Sequence, residues 1–446
     1  MIDATKGSLS RALLKLAIPF IMAMLLETVM QLTDMFFVSR LGSASIAAVS
    51  FCGIILLLLS TIVEGISASA LAIVARRVGE ADKEGANIAA SNTMFICLLL
   101  SIITGIGGYY IAGPTLKILG APEDVYNLGI GYIQYSFLGI YSMFFLFIVQ
   151  AIMRGAGEPI YPMLILSGSA FMNIIFDPLF IFGLGPFPKL GVTGAAIATV
   201  TARTIASTIG IYLLFSGKTF IKLTLKKMKI DLNIIATIFR IAFPAMGRMS
   251  LNSITRVILM KIVALFGTSA IAAYGIGLRL DMVAFLPGLG FAAATSTIVG
   301  QNLGAKKIDR AERSTIIALL CNIAVVGTIA VLFLLFSENI ISVFDKSAEV
   351  MRIGTMYIYI VVPSYFFMAG RLVYNGSLRG AGDTYSTMVA SFISMVLMQI
   401  PLAYLLAKYT SLDVYGVFIS VAAVNFFETL MLYYWFKKGK WKYKKV

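Results

Sequence analysis

Arg154-Gly155-Ala156-Gly157 closes one apolar stretch of the chain, and 225 residues later Arg379-Gly380-Ala381-Gly382 closes another. The same offset joins Pro19 to Pro244, Gly42 to Gly267, Gly65 to Gly290, Gly79 to Gly304 and Gly191 to Gly416. Glycine marks tight turns or close helix approach, so a spacing held through this many glycines predicts two halves with nearly the same backbone turns. The expected division is 1–225 and 226–446.

Each half carries six apolar stretches long enough to cross a hydrocarbon core, about twenty residues apiece. They fall at 17–39, 46–75, 88–112, 126–153, 162–184 and 194–216, then at 236–265, 271–300, 313–336, 352–378, 387–408 and 416–436. Because six is even, the halves insert in the same orientation and relate by a pseudo-two-fold axis along the membrane normal. The fold class read from sequence is therefore an all-α polytopic membrane protein of twelve transmembrane helices in two six-helix bundles. Parallel repeats of this kind frame a transport pathway.

Composition agrees. Of 446 residues, 59% are hydrophobic and 13% charged, where a soluble domain carries about 25% charged residues. That excludes a soluble enzyme. The net charge of +15 comes from short basic clusters between apolar stretches, a topology signal and not a nucleic-acid one. Alternate connections hold 23 Lys and Arg on one side and six on the other, which predicts both termini in the cytoplasm. The first stretch runs beyond the length of a signal-peptide core and lacks a small-residue cleavage site, so it is expected to be a retained helix. Cys52, Cys97 and Cys321 lie far apart in apolar runs and there is no histidine, so no zinc site or histidine relay is expected.

Ionisable groups at membrane depth cost several kcal/mol unless they face protein or water, and each is a functional candidate. The first half holds Glu27, Asp34, Glu64 and Asp177, with Arg203 as its one basic residue inside a span. The second half inverts this, with Arg240, Arg248, Arg256, Lys261, Arg279 and Arg371 against Asp281 and Glu428. Glu27, Gln31 and Asp34 share a helix face by their spacing of four and three. Asn173 and Asp177 are one turn apart, and Pro178 after them brings no amide hydrogen, which frees the Ile174 carbonyl. Oxygen donors grouped in this way suit a hard cation such as Na⁺, or a proton on a carboxylate. Arg240 and Lys261 are expected to snorkel, and Arg248 and Arg256 to turn inward toward Asp281, Glu27 or Glu64. Methionine and phenylalanine, 22 and 31 in number, suit packing and an adaptable pocket.

Other signals are weak. Ser216-Gly217-Lys218-Thr219 ends like a P-loop, but Tyr212 stands where that loop needs its first glycine. Asn375-Gly376-Ser377 fits a glycosylation sequon at the end of a span, where chance explains it.

Taken in order, the motifs resemble those of the multidrug and toxic compound extrusion (MATE) transporters, in particular the DinF-like branch. The resemblance rests on Leu32-Thr33-Asp34 with Phe37-Val38-Ser39-Arg40-Leu41-Gly42, and on the first Arg-Gly-Ala-Gly turn. It continues through Asn173-Ile174-Ile175-Phe176-Asp177-Pro178, Gly191-Val192-Thr193-Gly194-Ala195-Ala196-Ile197-Ala198-Thr199 and Val299-Gly300-Gln301-Asn302-Leu303-Gly304-Ala305. It covers essentially the whole chain. It implies a V-shaped pair of bundles in the plasma membrane, exporting amphipathic organic cations in exchange for H⁺ or Na⁺. No cofactor, nucleic acid or second subunit is implied. The coupling residues it implies are Asp34, Asn173, Asp177 and Thr199, with Gln150 where an asparagine is common. Asn252 replaces a glutamate important in the NorM-like branch, which favours coupling in the first half. Glu27, Gln31, Glu64, Asn252, Arg248, Arg256 and Asp281 remain as substrate-binding or gating candidates. The alternative reading is a flippase of the same superfamily acting on a lipid-linked or other amphipathic anion. A membrane enzyme would need a nucleophile with a base or a metal cluster, and the sequence offers no convincing set.

Overall fold

A computed structural model describes residues 1–224, 229–444 and 446. The helices are α1 (Leu9–Ser39), α2 (Ser43–Gly79), α3 (Lys83–Ile118), α4 (Glu123–Leu138), α5 (Ile140–Gly155), α6 (Ile160–Phe182), α7 (Gly191–Ser216) and α8 (Leu232–Ala264). Then follow α9 (Thr268–Gly304), α10 (Ile308–Leu335), α11 (Ser337–Phe344), α12 (Ala348–Val361), α13 (Tyr365–Gly380), α14 (Thr384–Ser391), α15 (Ile400–Tyr409) and α16 (Val414–Lys438). Eleven are long and apolar enough to span a membrane, counting α12–α13 and α14–α15 each as one; α4 and α5, bent by 47° at Gly139, make a twelfth together. The protein is an all-α polytopic membrane protein, with no strand among the described residues.

Sequence and structure differ where helices are interrupted. Pro363 sits in a single 3₁₀ turn, Val362–Ser364, that joins α12 to α13. Between α14 and α15 the chain widens into a π-helix over Phe392–Gln399, just ahead of Pro401. Proline supplies no amide hydrogen, so the turn before it must shift its bonding, and π-segments of this sort re-aim side chains. The short helix α11 lies in what the hydropathy reading leaves as a connection.

Contacts divide the chain into two compact units, Met1–Asp3 with Pro19–Ala242, and Ala4–Ile18 with Phe243–Val446. The division differs from 1–225 and 226–446 in one respect. The first part of each half's first helix with the residues before it, α1 up to Ile18 and α8 up to Ala242, is grouped with the opposite half. Within the second unit, Ala4 is held by Gln301 and Asn302 (both 3.1 Å), and Arg310 donates to the carbonyls of Ala4, Lys6 and Gly7. Within the first, Asn92 accepts from the Asp231 amide and donates to the Lys229 carbonyl, both at 2.9 Å. Lys229 stands 225 residues after Ala4.

The repeated turns repeat in three dimensions. Gly157 and Gly382 have φ of 77° and 78°, and Ala81 and Lys306 both have φ of 58°. A Cβ on Gly155 would lie 2.9 Å from the Leu71 carbonyl oxygen, and one on Gly380 would fall on that of Ser296. Leu71 and Ser296 are again 225 apart. Glycine is required at both places because helix α5 or α13 touches backbone with nothing between. Arg154 caps its turn by lying over the Phe20 ring, 4.9 Å from the centroid. Gly217, in the P-loop-like stretch, ends α7 in the left-handed conformation.

Candidate functional site

In the first unit, the turn of α6 ahead of Pro178 carries Asn173 and Asp177, both buried. Asn173 Nδ2 donates to Asp177 Oδ1 at 3.1 Å and to Thr199 Oγ1 of α7 at 3.2 Å. The amide thereby spends its donor on two acceptors and leaves oxygens over. Asn173 Oδ1, Asp177 Oδ2 and Asp34 Oδ1 are buried without a hydrogen-bond partner among the described residues. Asp34, half-buried on α1, lies within electrostatic range of Asp177. Unpaired buried oxygens of this kind are costly and suit a proton or a hard cation, so the donor set fits H⁺ or Na⁺.

Two residues not assigned to this cluster from sequence join it. Arg203 of α7 lies within electrostatic range of both Glu27 and Asp34. Tyr132 of α4 lies within range of Asp34, Asp177 and Arg203. A signal for Arg203 existed, since it follows Thr199 by four residues and so shares its helix face. None existed for Tyr132, which comes from a helix with no other polar candidate. Gln150 is buried on α5 with Nε2 unpartnered among the described residues. Glu27 and Glu64 are half-buried, and Gln31 is exposed.

The second unit contains a cavity of about 210 Å³ lined by Asn252, Thr255, Arg256, Arg279, Asp281 and Arg371 among apolar side chains. Arg240 and Lys261 are exposed, and Arg248 is half-buried but does not line the cavity. The expected Arg256–Asp281 ion pair gives way to a different arrangement. Asp281 accepts the hydroxyls of Tyr357 and Tyr365, both at 2.7 Å, with Arg256 only within electrostatic range. Arg371 pairs instead with the fully buried Glu428 at 3.1 Å, whose other oxygen accepts Ser391 Oγ at 2.7 Å. Met395 and Gln399 reach the cavity from the π-segment.

Applying the repeat offset shows that the two places correspond. Glu27, Gln31, Asp34, Thr199 and Arg203 of the first unit answer to Asn252, Arg256, Leu259, Val424 and Glu428 of the second. The first four of those five in the second unit line the cavity. Of these, Arg203 and Glu428 carry opposite charge, Arg256 adds a cation where Gln31 is neutral, and Asn252 and Leu259 lack the carboxylates of Glu27 and Asp34.

Two units of membrane-spanning helices, each with polar groups gathered at membrane depth, define the class of multi-pass membrane transporters. The chain belongs to the MatE family, whose model matches residues 19–179 and again 244–405. The first match begins at Pro19, where the units divide, and the second at Pro244, one residue after the other division at Phe243. Members of this family are transporters, not enzymes. The chain is 27% identical to the "Probable multidrug resistance protein YoeA" of Bacillus subtilis over 99% of its length and 96% of the relative's. It is 26% identical to an "FAD transporter" of Shewanella oneidensis over 96% of its length and 94% of that protein. Among solved structures, an outward-facing multidrug resistance MATE transporter of the MOP superfamily aligns with a TM-score of 0.92 at 24% identity. That alignment covers 98% of this chain and 97% of the other.

Proposed function

We propose that this transporter is an efflux antiporter of the plasma membrane that exports amphipathic small molecules in exchange for H⁺ or Na⁺ by alternating access. One observation carries the reading. Three buried oxygens, from Asp34, Asn173 and Asp177, are left without partners among the described residues, beside a hydrogen-bonded Asn173–Asp177–Thr199 set. A proton would sit on a carboxylate of this cluster, whereas Na⁺ would take carboxylate, amide and hydroxyl oxygens together. Either ion relieves the cost of the orphan acceptors, and its departure restores it. Binding and release are thereby tied to a change in the stability of the surrounding helices, which is what coupling requires.

The cargo expected first is an amphipathic organic cation, in keeping with the multidrug resistance names of several relatives. The excess of Lys and Arg in alternate loops supports cytoplasmic termini, and the working unit in this reading is a single chain. Purified protein in liposomes tests this: a fluorescent cation should move against its gradient when H⁺ or Na⁺ is imposed from the opposite side. Transport that is unaltered by either gradient would remove the antiport reading.

A second reading has an observation of its own. Arg256 and Arg279 line the second unit's cavity without a hydrogen bond or ion pair among the described residues, and one relative carries the name of a transporter of FAD, a phosphate-bearing molecule. An exporter or flippase of amphipathic anions would use those arginines directly.

A further inference from the structure

The cavity of the second unit holds three guanidinium groups, and their compensation is uneven. Arg371, 13% exposed, is matched by Glu428, which is fully buried. Asp281 has each oxygen taken by a tyrosine hydroxyl. Arg256 and Arg279 have neither an ion pair nor a hydrogen bond among the described residues. Three positive charges against two negative leave one net positive charge around the cavity, with Arg256 and Arg279 both exposed and so open to a ligand. Thr255, 3% exposed, also lines the cavity, and its Oγ1 has no partner among the described residues. That is a buried hydroxyl waiting for an acceptor. The rest of the wall is apolar and compliant, with Phe285, Met368 and Met395.

By the repeat the cavity overlaps the first unit's oxygen cluster at two positions, Leu259 for Asp34 and Val424 for Thr199. Gln31 there is Arg256 here, Glu27 is Asn252, and Asp34 is Leu259. The repeat thus lacks both carboxylates here and adds a guanidinium one turn from Asn252.

We propose that this cavity is a binding site for an amphipathic monoanion. Arg256 and Arg279 hold its acidic group, carboxylate, sulfonate or phosphate diester, with Thr255 Oγ1 as a hydrogen-bond donor. Phe285, Met368 and Met395 take up its apolar body. Arginine suits the role because its planar fork offers parallel donors to an oxyanion and stays charged at membrane depth. This deepens the exporter reading by naming a ligand class for the second unit. The same chemistry is presented by a dissolved amphipathic acid and by the headgroup of an anionic lipid.

The test is direct binding without any ion gradient. Purified protein in phosphatidylcholine nanodiscs is titrated with dansylaminoundecanoic acid and with its neutral methyl ester. The acid should bind saturably and at least about tenfold more tightly than the ester, and Arg256→Gln and Arg279→Gln should each raise its Kd at least about fivefold. Displacement by phosphatidylglycerol placed in the disc assigns the site to lipid, and displacement by octanesulfonate assigns it to a solute; both support the site. Equal binding of acid and ester overturns it, as does wild-type affinity in both arginine variants. If either arginine variant fails to fold, Arg279→Lys and Thr255→Val decide the matter, and an unchanged Kd in both overturns the proposal. A protein that binds the acid but exchanges nothing overturns the antiport reading alone. One that exchanges yet ignores the acid overturns the anion site alone.

Discussion

The two units share their turns and differ in the sign of what those turns position. In the first, α1, α6 and α7 gather Glu27, Asp34 and Asp177 with one arginine, Arg203. In the second, Arg256, Arg279 and Arg371 meet Asp281 and Glu428. Arg203 and Glu428 occupy the same position of the repeat. The backbone frame is therefore indifferent to the charge it carries. Glycines that allow close helix contact are fixed by geometry, whereas inward-facing polar positions are free to diverge as long as each buried charge finds compensation.

The sharpest break of this comparison is Asp34→Asn. Asparagine copies a protonated carboxyl in size but neither releases a proton nor holds a cation as strongly. Gradient-driven export by the reconstituted variant should fall to the level of empty vesicles, with folding intact by size-exclusion chromatography. Undiminished coupling would detach the first unit's cluster from the exchange.

Glu428→Gln probes the inverted position. It leaves Arg371 uncompensated in a buried place, and removing one partner of such a pair costs about 3–5 kcal/mol. The expected result is a large drop in thermal unfolding temperature in detergent, partly recovered by Arg371→Met in the same chain.

The shared turns can be graded against each other. An added methyl overpacks at about 1–3 kcal/mol where backbone must yield. Gly380→Ala should destabilise more than Gly155→Ala, because its Cβ falls on the Ser296 carbonyl whereas that of Gly155 stands 2.9 Å from Leu71 O. Equal melting temperatures would mean that the second unit's contact is looser than its geometry.

Thr199→Val removes one acceptor of Asn173 and keeps the shape. A single hydrogen bond of about 1 kcal/mol corresponds to a fivefold weakening of ion binding, read as a shift in the ion concentration giving half-maximal transport. No shift would confine the coupling site to the carboxylates.

The smallest effect concerns Glu158, in the turn after Gly157 and outside the spans. Its Oε1 accepts the Phe220 amide at 2.9 Å and its Oε2 has no partner among the described residues. Burial holds its carboxyl above the ordinary value of 4.5, with the Phe220 amide and the chain's amino terminus acting in the opposite sense. The folded state then binds more protons than the unfolded one, so stability falls as pH rises from about 4.5 through the raised value. Glu158→Gln should flatten this slope and gain less than about 1 kcal/mol at neutral pH. A steeper slope in the variant would contradict the assignment.

The twelve spans, the two-fold repetition and the pairing of Asn173 with Asp177 are legible in the chain alone, because hydropathy, glycine spacing and a one-turn separation are local properties. Asp34, Arg256 and Asp281 likewise stand out there as charges out of place. What those charges meet depends on how the helices pack. Thr199 reaches Asn173 across 26 residues, Tyr357 and Tyr365 displace Arg256 from Asp281, and Arg371 chooses Glu428. Helical periodicity states which face a side chain occupies, but not which other helix lies against that face or how far a proline turns it. The grouping of Ala4–Ile18 with the second unit is of the same kind. It rests on contacts between segments hundreds of residues apart, such as Ala4 with Gln301 and Asn302, and these are set by packing and not by any local pattern.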